Sequence, residues 1–218
     1  MKKEKDLFSW DNITIDMYYD IVDILNDEEA DDITKNVRLI ALILDKDESE
    51  VWDMDMTKVG DYVSRLKFLN KFDIPSHPKM KINLPGYNLE VMKDVTKISV
   101  AQYVDYQSFV GRPFRESMPE ILSIFLIPEG KTYNTGYDII DLQKVIRNNL
   151  SFRVAEGLLG FFLRRYSELL IRSLRYYRKA IRKEMNQERK MEMEKTIEQI
   201  REKIEVLIHL AGSGPSKE

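Results

Sequence analysis

Residues 13–25, ITIDMYYDIVDIL, and residues 98–110, ISVAQYVDYQSFV, follow one pattern at an offset of 85 positions. An isoleucine, a hydroxyl residue, a tyrosine and an aspartate recur at the same steps in both stretches. Apolar residues return every three or four positions, the spacing that places them on one face of an α-helix. Thr14 and Ser99 stand where helix N-caps are expected, and Ser99 with Gln102 forms a capping-box pattern. The two stretches therefore predict two equivalent amphipathic helices.

The similarity continues along the chain. VRLIALILDKDE (37–48) is followed by DMTKV (55–59), and ILSIFLIPEGKT (121–132) is followed by DLQKV (141–145). Each half is predicted to hold an amphipathic helix, a strongly apolar helix, a charged connector and a helix that begins with Asp-apolar-x-Lys-Val. Agreement in both order and offset indicates an internal duplication.

The segment between the halves has a different pattern. FDIPSHP (72–78) disfavours helix, because prolines restrict both their own backbone and that of the preceding residue. KMKINL (79–84) and YNLEV (87–91) flank a Pro-Gly pair and predict a small β-hairpin. From Ser151 the chain can continue as helix, with heptad-like apolar positions at Met193, Ile197, Ile200 and Ile204. We predict a mainly all-α protein with a duplicated helical unit, a hairpin between the halves and a long C-terminal helix.

These patterns give the expected domain boundaries. An acidic helical unit spans 1–74, a linker with the hairpin spans 75–97, and a second helical unit spans 98–184. A charged helical or coiled-coil extension occupies 185–218. In the first unit, helical spacing places Leu25 and Ile33 on the inward faces of the first and second helices.

The composition excludes several classes of protein. The chain of 218 residues has no cysteine, which excludes disulfides and thiolate metal sites and is typical of a reducing cytoplasm. No apolar run approaches about 18 residues, so we expect no membrane span. The two histidines, His77 and His209, lie far apart in sequence and do not form a metal-ligand pattern.

Charge is distributed unevenly along the chain. Residues 1–60 carry 17 acidic and 7 basic side chains, a balance of −10. Residues 161–218 carry 9 acidic and 14 basic side chains, a balance of +5. Such an asymmetry either pairs the two ends of one molecule or presents each end to a separate partner.

Two stretches resemble ligand-binding motifs, but both lack essential positions. FLIPEGKT (125–132) ends like a nucleotide-binding P-loop, yet Phe125 replaces the first glycine and Pro128 removes a backbone donor. We interpret this stretch as the end of an apolar helix, terminated by Pro128 and Gly130. DKDESEVWDMDM (45–56) has aspartates at EF-hand spacing, but it lacks the central glycine and the final glutamate. We predict no nucleotide, metal or other cofactor.

Catalytic patterns are also missing from the sequence. No Gly-x-Ser-x-Gly nucleophile elbow occurs, and the paired carboxylates lie in acidic runs typical of a solvated face. We therefore predict a protein that is not an enzyme and that works by binding.

The strongest positive feature is the basic stretch 161–183, FFLRRYSELLIRSLRYYRKAIRK, with eight basic residues and one acid. Its cations fall largely off the apolar face, and the candidate contact residues are Arg172, Arg175, Arg182 and Lys183. Three uses fit this pattern. The cations can face the acidic N-terminal half or another copy, they can bind an acidic protein partner, or they can bind nucleic acid with Tyr176 stacked on a base.

The start WDNITIDMYYDIVDIL (10–25), its acidic linker and VRLIALILDKDESEV (37–51) resemble the tail assembly chaperones of tailed bacteriophages. ILSIFLIPEGKTYNTGYD (121–138) and AEGLLGFFLRRY (155–166) are also similar to phage proteins of this group. The resemblance covers about residues 8–70 and 98–175.

The resemblance implies a helper that binds the tape measure protein, limits its aggregation and recruits tail tube subunits. It also implies a location in the bacterial host cytoplasm, or in the virion if the chain is a structural component. A structural virion protein and a nucleic-acid-binding accessory protein are the alternative functions. We expect a protein partner and no membrane, with homo-oligomers possible through the C-terminal helix.

Overall fold

The computed structural model describes residues 4–73, 75, 78–110, 112, 117–182 and 187–212. Within these residues the chain is mainly helical, with one small antiparallel sheet, as the sequence predicts. The α-helices are α1 Glu4–Leu7, α2 Ile15–Asn26, α3 Asp32–Leu44, α4 Glu48–Trp52, α5 Met56–Arg65, α6 Val100–Val110, α7 Met118–Phe125, α8 Ile139–Asn149, α9 Phe152–Ile181 and α10 Gln187–Gly212. The strands are β1 Lys81–Leu84, β2 Tyr87–Val91 and β3 Leu126–Pro128, and short 3₁₀ helices occupy Leu66–Asn70 and Val95–Lys97.

The chain divides into two compact units. The first comprises Met1–Met92 and Ser99–Leu158, and the second comprises Lys93–Ile98 and Leu159–Glu218. The first compact unit therefore combines both helical units that the sequence separates. It contains residues 1–74 and most of 98–184.

Local side-chain hydrogen bonds explain where the helices begin. The Thr14 hydroxyl accepts a hydrogen bond from the Met17 backbone amide at 3.2 Å and caps α2. The predicted capping box at α6 is confirmed, because Ser99 Oγ accepts from the Gln102 amide and Gln102 Oε1 accepts from the Ser99 amide. Each bond satisfies a backbone donor that the first helical turn leaves unpaired. In α8 the cap is Asp138, three residues before the aspartate expected from the repeat.

A core of aliphatic side chains from α3 holds the first half together. Val37, Ile40 and Ala41 are buried there among residues from α2, α5 and the N-terminal segment. The inward positions predicted for Leu25 and Ile33 are wrong, since both side chains are exposed. On α2 the buried position is instead Ile21, on the turn before Leu25.

The helices α2 and α6 bury the same face in the same register. Ile21 of α2 and Tyr106 of α6, which are 85 positions apart, are both buried. The preceding turn agrees, because Met17 packs against the core of the first half and Gln102, at the same offset, is buried. The Gln102 amide group donates to the Ile124 carbonyl at 2.7 Å, which satisfies this polar side chain inside the protein.

The predicted β-hairpin is confirmed, and it gains a third strand that the sequence does not reveal. Strands β1 and β2 pair antiparallel from Lys81 opposite Glu90 to Leu84 opposite Tyr87. Strand β3 then pairs antiparallel with the other edge of β2. The interpretation of FLIPEGKT as a helix end at Pro128 and Gly130 is therefore corrected, because α7 stops at Phe125 and residues 126–128 are extended.

A backbone junction joins the start of α2 to the start of α9. Thr14 and Ser151 form an isolated antiparallel bridge. In this bridge the Phe152 amide donates to the Ile13 carbonyl at 2.7 Å, and the Ile15 amide donates to the Leu150 carbonyl at 3.2 Å. The two halves are thus connected by main-chain hydrogen bonds as well as by side-chain packing.

Aromatic side chains surround this junction. The Phe152 ring stacks on Tyr18 with centroids 3.6 Å apart and planes 9° apart, and it lies 6.0 Å from the Trp10 ring. The Trp10 indole nitrogen donates to the carbonyls of Phe68 and Lys71 at 3.1 and 2.9 Å. The cluster therefore fixes the N-terminal segment against α2, α9 and the 3₁₀ helix that follows α5.

The predicted long C-terminal helix is present as two helices, α9 and α10. The four residues 183–186 between Arg182 and α10 lie outside the described part of the chain. Along α10 the predicted heptad positions Ile197 and Ile200 are buried, whereas Glu198 and Arg201 beside them are exposed and form an ion pair. The coiled-coil association through this helix stays a prediction.

Replacing either of two glycines of α9 with alanine is expected to change the free energy of unfolding, but in opposite directions at the two positions. A Cβ at Gly157 would lie 3.3 Å from Pro75 Cδ and 3.4 Å from the Pro75 carbonyl oxygen, whereas a Cβ at Gly160 has no neighbour within 4 Å. We expect Gly157→Ala to lower the free energy of unfolding by about 1–2 kcal/mol through overpacking. Gly160→Ala should raise it by about 0.5–1 kcal/mol, because alanine favours helix. Urea unfolding followed by circular dichroism measures both, and equal changes would contradict the close contact at Gly157.

A hydrogen bond between Tyr87 of β2 and Asp141 of α8 is expected to raise the pH at which Tyr87 loses its proton. The Tyr87 hydroxyl donates to Asp141 Oδ2 at 2.7 Å, and this bond, together with burial, raises the pKa of Tyr87 from 10.0 to about 12. The folded state holds the proton more tightly, so this stabilisation is present below pH 10 and is lost as the pH rises towards 12. Tyrosine ¹³Cζ NMR should show the pKa of Tyr87 falling in Asp141→Asn. An unchanged titration in that variant would exclude the bond as the cause.

Candidate functional site

The candidate site is the exposed basic face of α9. Helical periodicity places cations on one side of the helix over five turns, while Leu163 and Leu170 lie buried on the opposite side. We call this surface the basic face. Its exposed cations are Arg164, Arg165, Arg172, Arg175, Arg178, Lys179 and Arg182.

The structure brings three of the four predicted contact residues onto this face. Arg172, Arg175 and Arg182 are all exposed there, and Lys183 lies outside the described residues. Arg164 and Arg178 also belong to the face and were not among the predicted contacts. The signal that identifies them is their helical spacing, because positions 164, 171, 175, 178 and 182 recur every three, four or seven residues.

Two apolar side chains interrupt the cations of the basic face. Ile171 is partly solvent-exposed, and Tyr176 is 70% exposed. Tyr166 and Tyr177, on the other side of the helix, are half-buried. The basic face can therefore offer an aliphatic and an aromatic contact as well as positive charge.

Few of these cations are neutralised by described residues. Arg165 pairs with Glu168 at 3.2 Å within the helix. Hydrogen bonds from Thr96 lower the pKa of the Asp94 carboxyl, and the charge of Arg172 lowers that pKa further. Among the residues that the structure describes, Arg175, Arg178, Lys179 and Arg182 make no ion pair.

The unpaired cations lie close enough to repel one another. Arg175 and Lys179, like Arg178 and Arg182, are separated by one helical turn, where equal charges destabilise a helix. The negative end of the helix dipole compensates the cations of the last turn, Arg178 and Lys179. It does not compensate Arg172 and Arg175, which lie earlier in the helix. An anionic partner would relieve this repulsion.

The two motif-like loops have ordinary structural roles. In FLIPEGKT the Lys131 amide donates to the Pro128 carbonyl at 2.9 Å, and Gly130 has a φ of 73°. This is a tight turn that follows a strand and requires a glycine in the left-handed region. In the acidic loop, Asp47 caps the short helix α4 through a capping box with Glu50.

The described ranges contain no group of three or more histidine, aspartate or glutamate side chains that could hold a metal ion. They also contain no helix that is long and apolar enough to span a bilayer.

No protein-family profile, curated protein or solved structure matches this chain.

Proposed function

We propose that this chain is a non-enzymatic binding protein whose basic face contacts an acidic protein partner. The observation that carries the proposal is the row of exposed cations on α9 that have no anionic partner among the described residues. Ile171, within the same face, supports a protein partner, because an aliphatic side chain adds apolar contact area that a phosphate backbone does not use.

The resemblance to phage tail assembly chaperones makes the proposal more specific. In this setting the partner is the tape measure protein, and the chain works in the bacterial host cytoplasm during virion assembly. Two similar helical halves would suit an extended helical partner, because binding of the partner to one half raises the effective concentration of that partner at the other half.

The experiment is co-expression with the tape measure protein encoded in the same genome. The native chain should increase the soluble fraction of the tape measure protein. The variant Arg172→Gln/Arg175→Gln/Arg182→Gln should lose this effect, since it removes three of the exposed charges of the basic face. The control Lys67→Gln/Lys71→Gln/Lys79→Gln removes three exposed cations elsewhere and should act like the native chain. Equal solubility with and without the native chain would contradict the proposal.

Nucleic-acid binding is the second candidate, and the exposed Tyr176 beside the cations favours it. A tyrosine ring in such a position can stack on an unpaired base. This function predicts binding of a single-stranded oligonucleotide that weakens steeply with salt, as phosphate contacts require.

A structural virion role predicts instead that mass spectrometry finds the chain in stoichiometric amount in purified particles.

A further inference from the structure

One side of helix α2 carries a row of carboxylates. The row consists of the three aspartates of α2 and its C-cap residue, at alternating steps of four and three positions, namely Asp16, Asp20, Asp23 and Asp27. This spacing aligns side chains along one side of a helix, and we call these four residues the acidic row. Within the described part of the chain, basic neighbours reach the two ends of the row. Asp16 lies 3.8 Å from Arg147, and Asp27 lies 2.6 Å from Arg38.

The centre of the acidic row has no such neighbour. Asp20 and Asp23 are exposed and make no ion pair with any residue that the structure describes. Surrounding atoms partly desolvate the Asp20 carboxyl and raise its pKa, and the charges of Asp16 and Asp23 raise that pKa further. Asp23 also lies in the last turn of α2, where the negative end of the helix dipole disfavours a carboxylate. A cationic surface in contact with the row would relieve both effects.

The acidic row and the basic face of α9 match in spacing and length and have opposite charge. Four cations of the basic face recur at steps of three and four residues, namely Arg172, Arg175, Lys179 and Arg182. At the rise of an α-helix they extend over about 15 Å, and the acidic row extends over about 16 Å. Arg175 and Arg178 are three residues apart, as are Asp20 and Asp23. Two ion pairs can therefore form side by side at the centre of both rows.

We propose that a second copy of this chain docks its acidic row on the basic face. The inference rests on the proposed function in one respect, namely that the basic face binds an acidic protein surface. Charge complementarity favours a second copy, because every copy carries both rows. The net charge of the chain is only −3, so whole copies repel one another weakly while their opposite surfaces attract. Such an interface is heterologous, so copies close into a ring or extend as a chain.

Sedimentation velocity of the purified full chain, over a range of concentrations, tests the proposal. The native chain should associate reversibly, and the association should weaken as salt is added, because salt screens exposed ion pairs. Asp20→Lys/Asp23→Lys reverses the centre of the acidic row, and Arg175→Glu/Arg178→Glu reverses the centre of the basic face. Each double variant should weaken association by about 10-fold or more, since two attractions become repulsions.

Matched controls change the net charge equally at other places. Asp53→Lys/Asp61→Lys reverses two exposed acids outside the acidic row, and Lys67→Glu/Lys71→Glu reverses two exposed cations outside the basic face. Both controls should associate like the native chain. Far-UV circular dichroism checks that every variant stays folded. A control that weakens association as much as the reversed rows would show that net charge alone governs it, which contradicts the proposal.

A mixture of the two reversed variants provides the sharper readout. The basic face of Asp20→Lys/Asp23→Lys is intact, and so is the acidic row of Arg175→Glu/Arg178→Glu. The two reversed surfaces are also complementary to each other. The mixture should therefore associate about as strongly as the native chain, although neither variant does so alone.

Three results would overturn the proposal: a native chain that is monomeric at all concentrations, association that survives both reversals, or a mixture that stays monomeric. The measurement uses the purified chain alone. A failure here therefore leaves the co-expression result for the tape measure protein unaffected, and a failure of co-expression leaves the self-association unaffected.

Discussion

Replacing Phe152 with alanine is expected to lower the free energy of unfolding by about 3–5 kcal/mol, the usual cost of deleting a buried aromatic ring. The Phe152 side chain is 3% exposed and stacks on Tyr18. Its loss leaves a cavity between the Trp10 segment and α2, and neighbouring rings can fill it only in part. The backbone bridge beside it, from the Phe152 amide to the Ile13 carbonyl, then loses its supporting side chain.

Tyr176→Ala is the matched control for Phe152→Ala. It also removes an aromatic ring from α9, but this ring is exposed, so the change should stay within about 0.5 kcal/mol. Chemical unfolding followed by circular dichroism and by tryptophan fluorescence measures both variants. If the two variants unfold at the same denaturant concentration, the aromatic junction is not a major source of stability.

Ile40→Ala is expected to lower the free energy of unfolding by about 2–5 kcal/mol. Ile40 is fully buried in the first-half core, and its neighbours on α3, Val37 and Ala41, are buried in the same core. The cost therefore combines lost burial of the side chain with the cavity that remains.

The same substitution at Ile33, on the same helix, should have little effect. Ile33 is 64% exposed, so alanine removes almost no packing and slightly improves helix propensity. Thermal unfolding of the two variants should separate them clearly. A loss at Ile33 that equals the loss at Ile40 would show that the first helical turn of α3 packs inward, as its sequence pattern alone suggests.

The correct predictions from the sequence depend on local interactions. The capping hydrogen bonds of Thr14 and Ser99 involve residues three positions away, so short sequence patterns identify them. The hairpin follows in the same way from the turn between β1 and β2. The basic face was also partly predictable, because helical spacing alone separates Arg172 and Arg175 from the inward stripe.

The incorrect predictions depend on contacts that are distant in sequence. Periodicity shows that Ile33 and Ile40 share a side of α3, but not where the neighbouring helices end. Strand β3 lies within an apolar run that reads as helix, and its pairing with β2 joins residues almost forty positions apart. The burial of equivalent positions is equally hidden, because α2 and α6 share a pattern and yet Ile15 of α2 is buried whereas Val100 of α6, at the same offset, is exposed.

The bridge between Thr14 and Ser151 also has a consequence for the order in which the chain folds. Its two residues are 137 positions apart, so closing it requires a long loop and raises the contact order of the first unit. At ordinary synthesis rates, about 7–27 s pass between the appearance of Thr14 and that of Ser151 on the ribosome. During this interval α2 has been synthesised, but the side that carries Tyr18 is not yet covered by Phe152. The nascent chain can form incorrect contacts there until its second half has been synthesised.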